Sequence, residues 1–473
     1  MRSMKLCFLP IDNRPVCEDF PRKIVACDSD VEIFLPPCSY LGDLNSYADV
    51  EKIYDWVQSL PHVDCMILSL DTIAYGGLVA SRRRPESFEY IKSNLEKFKM
   101  LFKEKADKVY AFSSVMRISN NNINIEEKEY WSKYGKKIFD YSYHTSKAGK
   151  WGMESCVAKL IPDEILNDYM ATRRRNFEIN KLYLEWKKEG VFDLLIFSKD
   201  DCAEYGFNVD EAKELQRLGG DVITGADEIP LTLLARAVQK PLSICPIFTE
   251  DISKDLISKY EDISVENSVI RQIQLAGFDL SSRNESDIIL VVNNFKTEQG
   301  EIVMKVDTEP FAGRIQDFLP QDKPYAIADV RFANGSDNVF VEKLFANGRD
   351  KNFLAYAAWN TTANTVGSLL CMIKYILAAK NMDKKAVEQL LAIRFLDDWA
   401  YQANVRQQIS APIDISEKMS EYVNAVEKFL GSKIEEYSFG YPWNRLFETE
   451  VTLKMEEKVE FSRDNSISSS ALN

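Results

Sequence analysis

Short apolar runs alternate with amphipathic stretches through the first half of the chain. Each run is rich in valine, isoleucine, leucine and phenylalanine, and a polar turn separates it from a segment with helical periodicity. This alternation is typical of βα units whose strands lie buried in a parallel sheet. The predicted strands span residues 5–11, 31–35, 64–70, 108–113, 192–198, 221–224 and 242–247. Predicted helices between them include residues 47–58, 85–105 and 209–218.

The rhythm changes in two places, which predicts how the chain is divided. The first α/β part, residues 1–250, is interrupted at 119–190 by a segment rich in aromatic and charged residues. We predict that this segment is a helical insertion that forms a lid or a side layer. A second α/β part, residues 251–400, contains the strand-like runs ESDIILVVNN and YAIADVRF and an apolar helix at 361–379. Residues 401–473 are predicted to form a C-terminal extension of helix and strand with a disordered serine-rich tail.

The fold class that follows is α/β with a mostly parallel sheet. The first half is predicted to be either TIM-barrel-like or doubly wound, because both architectures repeat the βα unit. The second half either completes a barrel or forms a second α/β layer. A chain of 473 residues, 45% of them hydrophobic, is long enough to bury the core that either arrangement needs.

Charge, hydropathy and cysteine usage narrow the partners and the compartment. The formal net charge of -14 disfavours nucleic acid or an anionic membrane as a partner, because both need a cationic face. No apolar stretch approaches the ~18 residues of a membrane span, and the first apolar run is too short for a secretory signal. The nine cysteines include no CxxC pair, which favours free thiols in a reducing compartment. We therefore expect a cytoplasmic protein; its oligomeric state is left open.

Polar residues follow nearly every predicted strand. The carboxyl ends of parallel strands converge at one edge of a sheet, and reactive groups collect there. An aspartate or asparagine at such a position is also an ordinary helix N-cap, but clusters of charge beside Tyr-Gly-Gly and Trp-Asn favour one shared pocket. The candidates are Asp12, Asn13, Arg14, Asp71, Tyr75, Arg117, Asp200, Asp201, Asp227, Glu228, Trp359, Asn360 and Asn364.

Histidine is nearly absent from the chain. Only His62 and His144 occur, and neither follows a predicted strand. This disfavours Ser-His-Asp and Cys-His mechanisms and multi-histidine zinc sites, all of which need imidazole. No phosphate-binding GxxxxGKS or GxGxxG motif occurs. We expect no cofactor and no metal, and chemistry that carboxylates, amides and arginines perform.

Paired carboxylates are the groups that cleave glycosidic bonds, one as acid and the other as nucleophile or base. Asp200 and Asp201, in FSKDDCAEYG, are the predicted catalytic pair, and the remaining candidates are predicted to bind substrate. Arg14 and Arg117 suit an anionic substituent or hold a neighbouring carboxylate ionised. Trp359 is either a stacking platform for a sugar ring or a core residue.

Several phrases of the sequence resemble a bacterial family known as domain of unknown function 4127. They are LPIDNRP, LSLDTIAYGGL, FSKDDCAEYG, ITGADE and AAWNTTANTVG, and they are spread from the beginning of the chain to its second half. The run AWNTTANTVG is the most specific of them. The resemblance implies one integrated protein of bacterial origin, and it implies no particular activity.

Three functions remain open on the sequence alone. The first is a carbohydrate-active hydrolase, glycosidase-like, with N-acetylated sugars among the substrates considered. The second is an enzyme in which the carboxylates bind magnesium or manganese and act on a small polar metabolite. The third is a noncatalytic protein that binds a sugar or metabolite in the same pocket. In each case the expected partner is a small molecule or an oligosaccharide.

Overall fold

The structure, a computed structural model, describes residues 3–149, 157–200 and 203–456. Within these ranges, two parallel sheets with helices packed on their faces confirm the prediction of an α/β fold with mostly parallel strands. The predicted serine-rich tail lies outside the described residues.

The first sheet has six parallel strands in the spatial order β2-β1-β3-β4-β5-β6. The strands are β1 (Met4–Leu9), β2 (Val31–Phe34), β3 (Val63–Ser69), β4 (Ala106–Val115), β5 (Leu194–Lys199) and β6 (Asp221–Thr224). All six were predicted from their apolar runs. The order ends at β2 on one side and at β6 on the other, which corresponds to the doubly wound alternative.

The second sheet has five parallel strands in the order β13-β11-β9-β7-β8. Two short strands, β10 and β12, pair beside it, and β14 and β15 form an antiparallel hairpin. The bounds are β7 (Ser243–Phe248), β8 (Asp279–Leu280), β9 (Ile288–Asn293), β10 (Gly300–Glu301), β11 (Tyr325–Asp329), β12 (Phe332–Ala333), β13 (Phe353–Ala357), β14 (Ile434–Gly440) and β15 (Glu450–Met455). The change from the first sheet to the second therefore falls between β6 and β7, ahead of residue 250.

Helices connect most of the parallel strands. The α-helices are α1 (Asp19–Val25), α2 (Val50–Ser59), α3 (Leu70–Tyr75), α4 (Leu78–Arg83), α5 (Phe88–Lys105), α6 (Trp131–Lys147), α7 (Asp163–Lys188), α8 (Phe207–Arg217), α9 (Ile229–Ala237), α10 (Val265–Leu275), α11 (Asn338–Asn347), α12 (Thr362–Ala378), α13 (Lys384–Arg394) and α14 (Ser416–Leu430). A π-helix, Phe395–Asn404, continues α13 and is followed by a 3-10 turn, Val405–Gln408. No described helix is long and apolar enough to cross a membrane.

The first sheet is buried on both faces, because its strands carry apolar side chains at odd and even positions alike. In β1, Leu6 and Phe8 contribute to the core shared with the second sheet, whereas Cys7 and Leu9 contribute to the core under α2, α5 and α7. Helix α9 packs on β3 and β4 and also against α12, which lies on β11 and β13. The pair α9 and α12 thus joins the two sheets into one body.

The predicted helical insertion contains α6 and α7. Helix α7 places Ile179, Leu182 and Tyr183 in the core of the first sheet, so its C-terminal half is the crossover helix between β4 and β5. Trp131 and Ile138 of α6 belong to a smaller apolar cluster beside it. The described helices of the insertion therefore pack beside the first sheet.

Candidate functional site

A polar cavity of about 490 Å³ lies where the carboxyl ends of the two sheets face each other. Loops that follow β1, β4, β5 and β6 line one side, and loops that follow β10, β12 and β13 line the other. The segment between β14 and β15 contributes Trp443, Arg445 and Phe447. A volume of this size accommodates a small-molecule ligand.

Arg14 is the centre of a buried ion cluster at the floor of the cavity. Its Nε lies 3.0 Å from Asp12 Oδ1, its Nη2 lies 2.7 Å from Asp227 Oδ1, and its Nη1 lies 3.3 Å from Glu448 Oε1. Burial alone would lower the pKa of Arg14, but the carboxylates of Asp12 and Asp227 raise it well above its usual range. The guanidinium thus stays charged and fixes Asp12 and Asp227 in place.

Glu448 is the carboxyl of this cluster that favours its protonated form. Burial raises the pKa of Glu448 to about 8, and the attraction of Arg14 opposes that rise only in part. Because a buried carboxyl is costly to ionise, Glu448 holds a proton at neutral pH.

A second ion cluster surrounds Glu126 at the rim of the cavity. Glu126 accepts from Arg117 Nη2 at 2.7 Å, from Arg445 Nη1 at 2.8 Å and from Arg82 Nη2 at 3.2 Å. Burial raises the pKa of Glu126, but the three guanidiniums outweigh it and hold that pKa well below its usual range. Arg117 also approaches Asp200, with Nη1 at 3.4 Å from Oδ2. Arg117 therefore connects Asp200 to this cluster.

Amides line the side of the cavity that the second sheet provides. Asn334 Nδ2 donates to Glu301 Oε1 at 2.6 Å, and the Asn334 backbone N–H donates to the Asn360 carbonyl at 2.9 Å. Asn364 Oδ1 accepts from the Glu228 backbone N–H at 3.1 Å. These bonds tie the loops after β12 and β13 to each other and to α9.

Left-handed backbone conformations concentrate at the cavity. Non-glycine residues with positive φ in the described chain include Tyr260 (67°), Asn334 (64°), Asn360 (68°) and Trp443 (55°), and all four line the cavity. Such conformations cost free energy in non-glycine residues and cluster at ligand sites, where surrounding contacts enforce them. Their coincidence here makes this cavity the candidate functional site.

The run AWNTTANTVG shapes the junction of α12 with α9. Thr361 Oγ1 caps α12 by accepting from the Asn364 backbone N–H at 3.3 Å. At Gly367 a Cβ would lie 2.5 Å from Glu228 Cγ and 2.7 Å from Thr232 Oγ1. The glycine therefore permits α12 to approach α9 closely, which sets the distance between the two sheets.

Seven of the residues proposed from the sequence do line the cavity together. They are Asp12, Arg14, Arg117, Asp200, Asp227, Asn360 and Asn364. Asn13 lies directly beside them, because its Oδ1 accepts from Trp443 Nε1 at 2.7 Å. Asp201 lies outside the described residues.

Four predicted site residues do not line this cavity. Asp71 is buried beneath β4, where its Oδ2 accepts from the Ser114 backbone N–H at 2.8 Å, and burial raises its pKa to about 7. Tyr75 ends the same short helix α3 and is buried in the core of the first sheet. Both side chains turn inward because α3 begins directly after β3, with no loop to carry them to the cavity.

Glu228 and Trp359 are also buried away from the cavity. Glu228 occupies the N-cap position of α9 and is buried against α10 and α12, where it accepts from Gln272 Nε2 at 2.9 Å. Trp359 is buried against Phe447, with ring centroids 5.8 Å apart. It faces a separate space of about 30 Å³. The core alternative for Trp359 is therefore the one the structure supports.

Several lining residues were not proposed from the sequence. Trp443, Arg445 and Phe447 come from the C-terminal segment YPWNRLF, far along the chain from any parallel strand. Arg406 follows the π-helix, and Glu126 comes from the asparagine-rich stretch NNNINIEE. The clustering of aromatic and polar residues in YPWNRLF was the one available signal.

In the described part of the chain, the carboxylates are not arranged to bind a metal ion. In residues 3–149, 157–200 and 203–456 no group of three or more histidine, cysteine, aspartate or glutamate side chains has the geometry of a metal site. Where Asp12, Asp227 and Glu448 converge, the guanidinium of Arg14 already supplies the positive charge. The donor set therefore gives no support to the magnesium or manganese alternative.

Fold and site together define an α/β protein with a polar cavity between the carboxyl ends of two parallel sheets. The chain belongs to the family described as "Protein of unknown function (DUF4127)", whose model matches residues 6–452. The match covers nearly the whole chain and confirms the family resemblance.

Other comparisons add little. A search of curated proteins found no match. One solved structure that is similar in part is "Crystal structure of PH0766 from Pyrococcus horikoshii OT3", with 10% sequence identity and a TM-score of 0.16. That alignment covers 80% of this chain and 99% of the other. A TM-score this low carries no argument about fold or function.

Proposed function

We propose that the protein is a carbohydrate-active hydrolase and that its substrate binds in the cavity between the two sheets. The supporting observation is the lining itself, in which carboxylates, amides and guanidiniums from both sheets and from the C-terminal segment converge on a space of about 490 Å³. Sugars present many hydroxyl groups, and carboxylate and amide oxygens accept hydrogen bonds from them. N-acetylated sugars are included, because an amide donor can also bind an acetamido carbonyl.

Asp200 is the carboxylate to which we assign the catalytic role. It follows β5 directly, lines the cavity and keeps about a quarter of its side chain exposed, 26%. Glu126 does not suit the role of acid, because three guanidiniums hold it ionised. Asp12 and Asp227 are both engaged by Arg14. Asp200 contacts Arg117 at 3.4 Å and is accessible to a substrate from the cavity.

The test is hydrolysis of a panel of 4-nitrophenyl glycosides that includes neutral, N-acetylated and acidic sugars. We expect turnover of at least one member, and Asp200→Asn should abolish it while the melting temperature stays close to that of the wild type. Asp221→Asn is the matched control. Asp221 is the first residue of β6, at the amino end of the strands and therefore away from the cavity, and its side chain is 59% exposed. Asp201→Asn tests the neighbouring residue of the predicted pair.

Turnover that survives in Asp200→Asn would refute the assignment of Asp200.

A noncatalytic sugar- or metabolite-binding protein is the second candidate. It is favoured by the arginine partners of Asp12, Asp227 and Glu126, because carboxylates held in ion pairs serve recognition better than proton transfer. Ligand binding by calorimetry without hydrolysis of any panel member would establish this second candidate.

We also propose that the protein acts in a bacterial cytoplasm. Seven cysteines in the described ranges are free thiols, and five of them are buried, which fits a reducing compartment. Fractionation of cells that produce a tagged protein tests the location, and recovery from the periplasm would contradict it.

A further inference from the structure

Arg406 differs from the other arginines that line the cavity. Arg14, Arg117 and Arg445 each form an ion pair with at least one carboxylate. Among the described residues, Arg406 has no carboxylate partner within 4.0 Å, although its side chain is only partly exposed. Burial lowers the pKa of Arg406, and a guanidinium stays charged at neutral pH. The cavity therefore contains one arginine without a direct ion pair among the described residues, although Glu301, Asp397 and Glu448 lie near enough to raise its pKa.

Arg406 is held rigidly despite lacking an ion pair. Its Nη1 donates to Gln402 Oε1 at 2.8 Å, and its guanidinium carbon lies 5.4 Å from the centre of the Phe447 ring. Gln402 is fixed in turn, since its Nε2 donates to the Phe447 carbonyl at 3.2 Å. Gln402 belongs to the π-helix Phe395–Asn404, a rare conformation that recurs at functional sites. The remaining N–H groups of Arg406 have no partner within the described part of the chain.

Asn360 supplies a second unpartnered polar group in the same cavity. Its φ of 68° is a left-handed conformation, and its side-chain amide forms no hydrogen bond with any described residue. Asn360 is linked to the π-helix through two neighbouring residues. The Asn334 backbone N–H donates to the Asn360 carbonyl, and Gly335, the next residue, packs on the backbone of the π-helix. A Cβ at Gly335 would lie 3.1 Å from Ala403 N.

The charge of the ligand group follows from its surroundings. A guanidinium whose N–H groups are free to donate matches a planar group with two oxygens, such as a carboxylate. Arg445 contacts the same Phe447 ring as Arg406, but it is paired with Glu126. Glu301 lies close enough to raise the pKa of Arg406. The other three arginines of the cavity are already paired with carboxylates. Arg406 alone therefore balances the single charge of a carboxylate, whereas a doubly charged phosphate would need a second cation.

We propose that Arg406, assisted by the amide of Asn360, binds a carboxylate on the ligand, so that the preferred ligands are acidic sugars of the uronic-acid type. The sugar part of this inference rests on the proposed function, whereas the carboxylate part rests on Arg406 alone. This reassigns a role that the sequence suggested for Arg14 and Arg117.

The experiment is isothermal titration calorimetry at constant ionic strength with D-glucuronate, D-glucose, D-glucose 6-phosphate and acetate. We expect D-glucuronate to bind most tightly. Arg406→Gln should weaken it by roughly 10- to 100-fold, the usual effect of losing a charged hydrogen bond. Arg406→Lys should recover part of the affinity, because it restores the charge without the fork. Asn360→Gly keeps the left-handed backbone and should weaken binding by about 5-fold.

Arg349→Gln is the matched control, because Arg349 is a half-buried arginine paired with Glu388 outside the cavity. Its affinity for D-glucuronate should equal that of the wild type. Equal binding of D-glucose and D-glucuronate, or tighter binding of the phosphate, would overturn the carboxylate inference and leave the sugar site standing. Acetate binding that depends on Arg406, without binding of any sugar, would support the carboxylate site and refute the carbohydrate function. Absence of binding by all four probes would refute both.

Discussion

The pH dependence of stability should be measurably smaller in Glu228→Gln than in the wild type. Burial raises the pKa of Glu228 from 4.5 to about 8, and the nearby carboxylates of Asp227 and Glu261 add to the rise. The folded protein therefore keeps a proton that the unfolded chain releases near pH 4.5. Between these two values the folded state loses stability as the pH rises.

The magnitude follows from the two pKa values. Each pH unit well inside this window lowers the stability by about 1.4 kcal/mol for one group. The contribution of Glu228 therefore falls by roughly 5 kcal/mol in total as the pH rises through both pKa values, 4.5 and about 8. Glutamine has the same shape and does not titrate. Rotation of the Gln272 amide would let it accept from the new side chain and donate to Thr232 Oγ1, its present partner at 2.9 Å. The substitution thus removes the titration and preserves the contacts.

The assay is urea unfolding at several pH values from about 5 to about 8 for the wild type, Glu228→Gln and Glu96→Gln. Over these three units the unfolding free energy of Glu228→Gln should rise relative to the wild type by about 4 kcal/mol. Glu96 lies on the exposed face of α5, so Glu96→Gln should follow the wild type. Parallel curves for Glu228→Gln and the wild type would refute the claim that Glu228 is protonated in the folded protein.

Two further substitutions test the cluster at Arg14 and the junction at Gly367. Arg14→Met leaves Asp12 and Asp227 buried without their cation and should lower the free energy of unfolding by about 3–5 kcal/mol at neutral pH. Urea unfolding measures this loss, and an unchanged free energy of unfolding would contradict this account. Gly367→Ala places a Cβ 2.5 Å from Glu228 Cγ and should destabilise by about 1–3 kcal/mol. An unchanged or raised melting temperature would show that α9 and α12 tolerate the wider spacing.

The sheets were predictable because buried parallel strands are apolar on both faces. The run from Val63 to Ser69 contains one charged residue, and such a run is hard to place anywhere except in a sheet covered on both sides. The two-residue strands β8, β10 and β12 have no such pattern. The π-helix Phe395–Asn404 could not be predicted either, since its sequence has the composition of an ordinary helix.

The site was predictable only where a loop separates the strand from the next helix. After β1, the chain runs through Asp12 and Arg14 before α1 begins, and both side chains reach the cavity. After β3, helix α3 begins at once, and Asp71 in its first turn is buried under β4. The residue types are the same in the two cases. The path of the backbone decides between them, and the path depends on tertiary packing.

Asp227 and Glu228 show that the path of the backbone can direct the side chains of two adjacent residues to different places. Asp227 lines the cavity and binds Arg14, whereas Glu228 begins α9 and faces away into the contact with α12. A pocket residue and a capping residue thus stand side by side. The pairing of charges in the site also depends on the path of the backbone. The sequence shows how many arginines the chain has, but not which carboxylates they contact. Arg406 stands out only once the partners of Arg14, Arg117 and Arg445 are known, and its missing partner is what points to an acidic ligand.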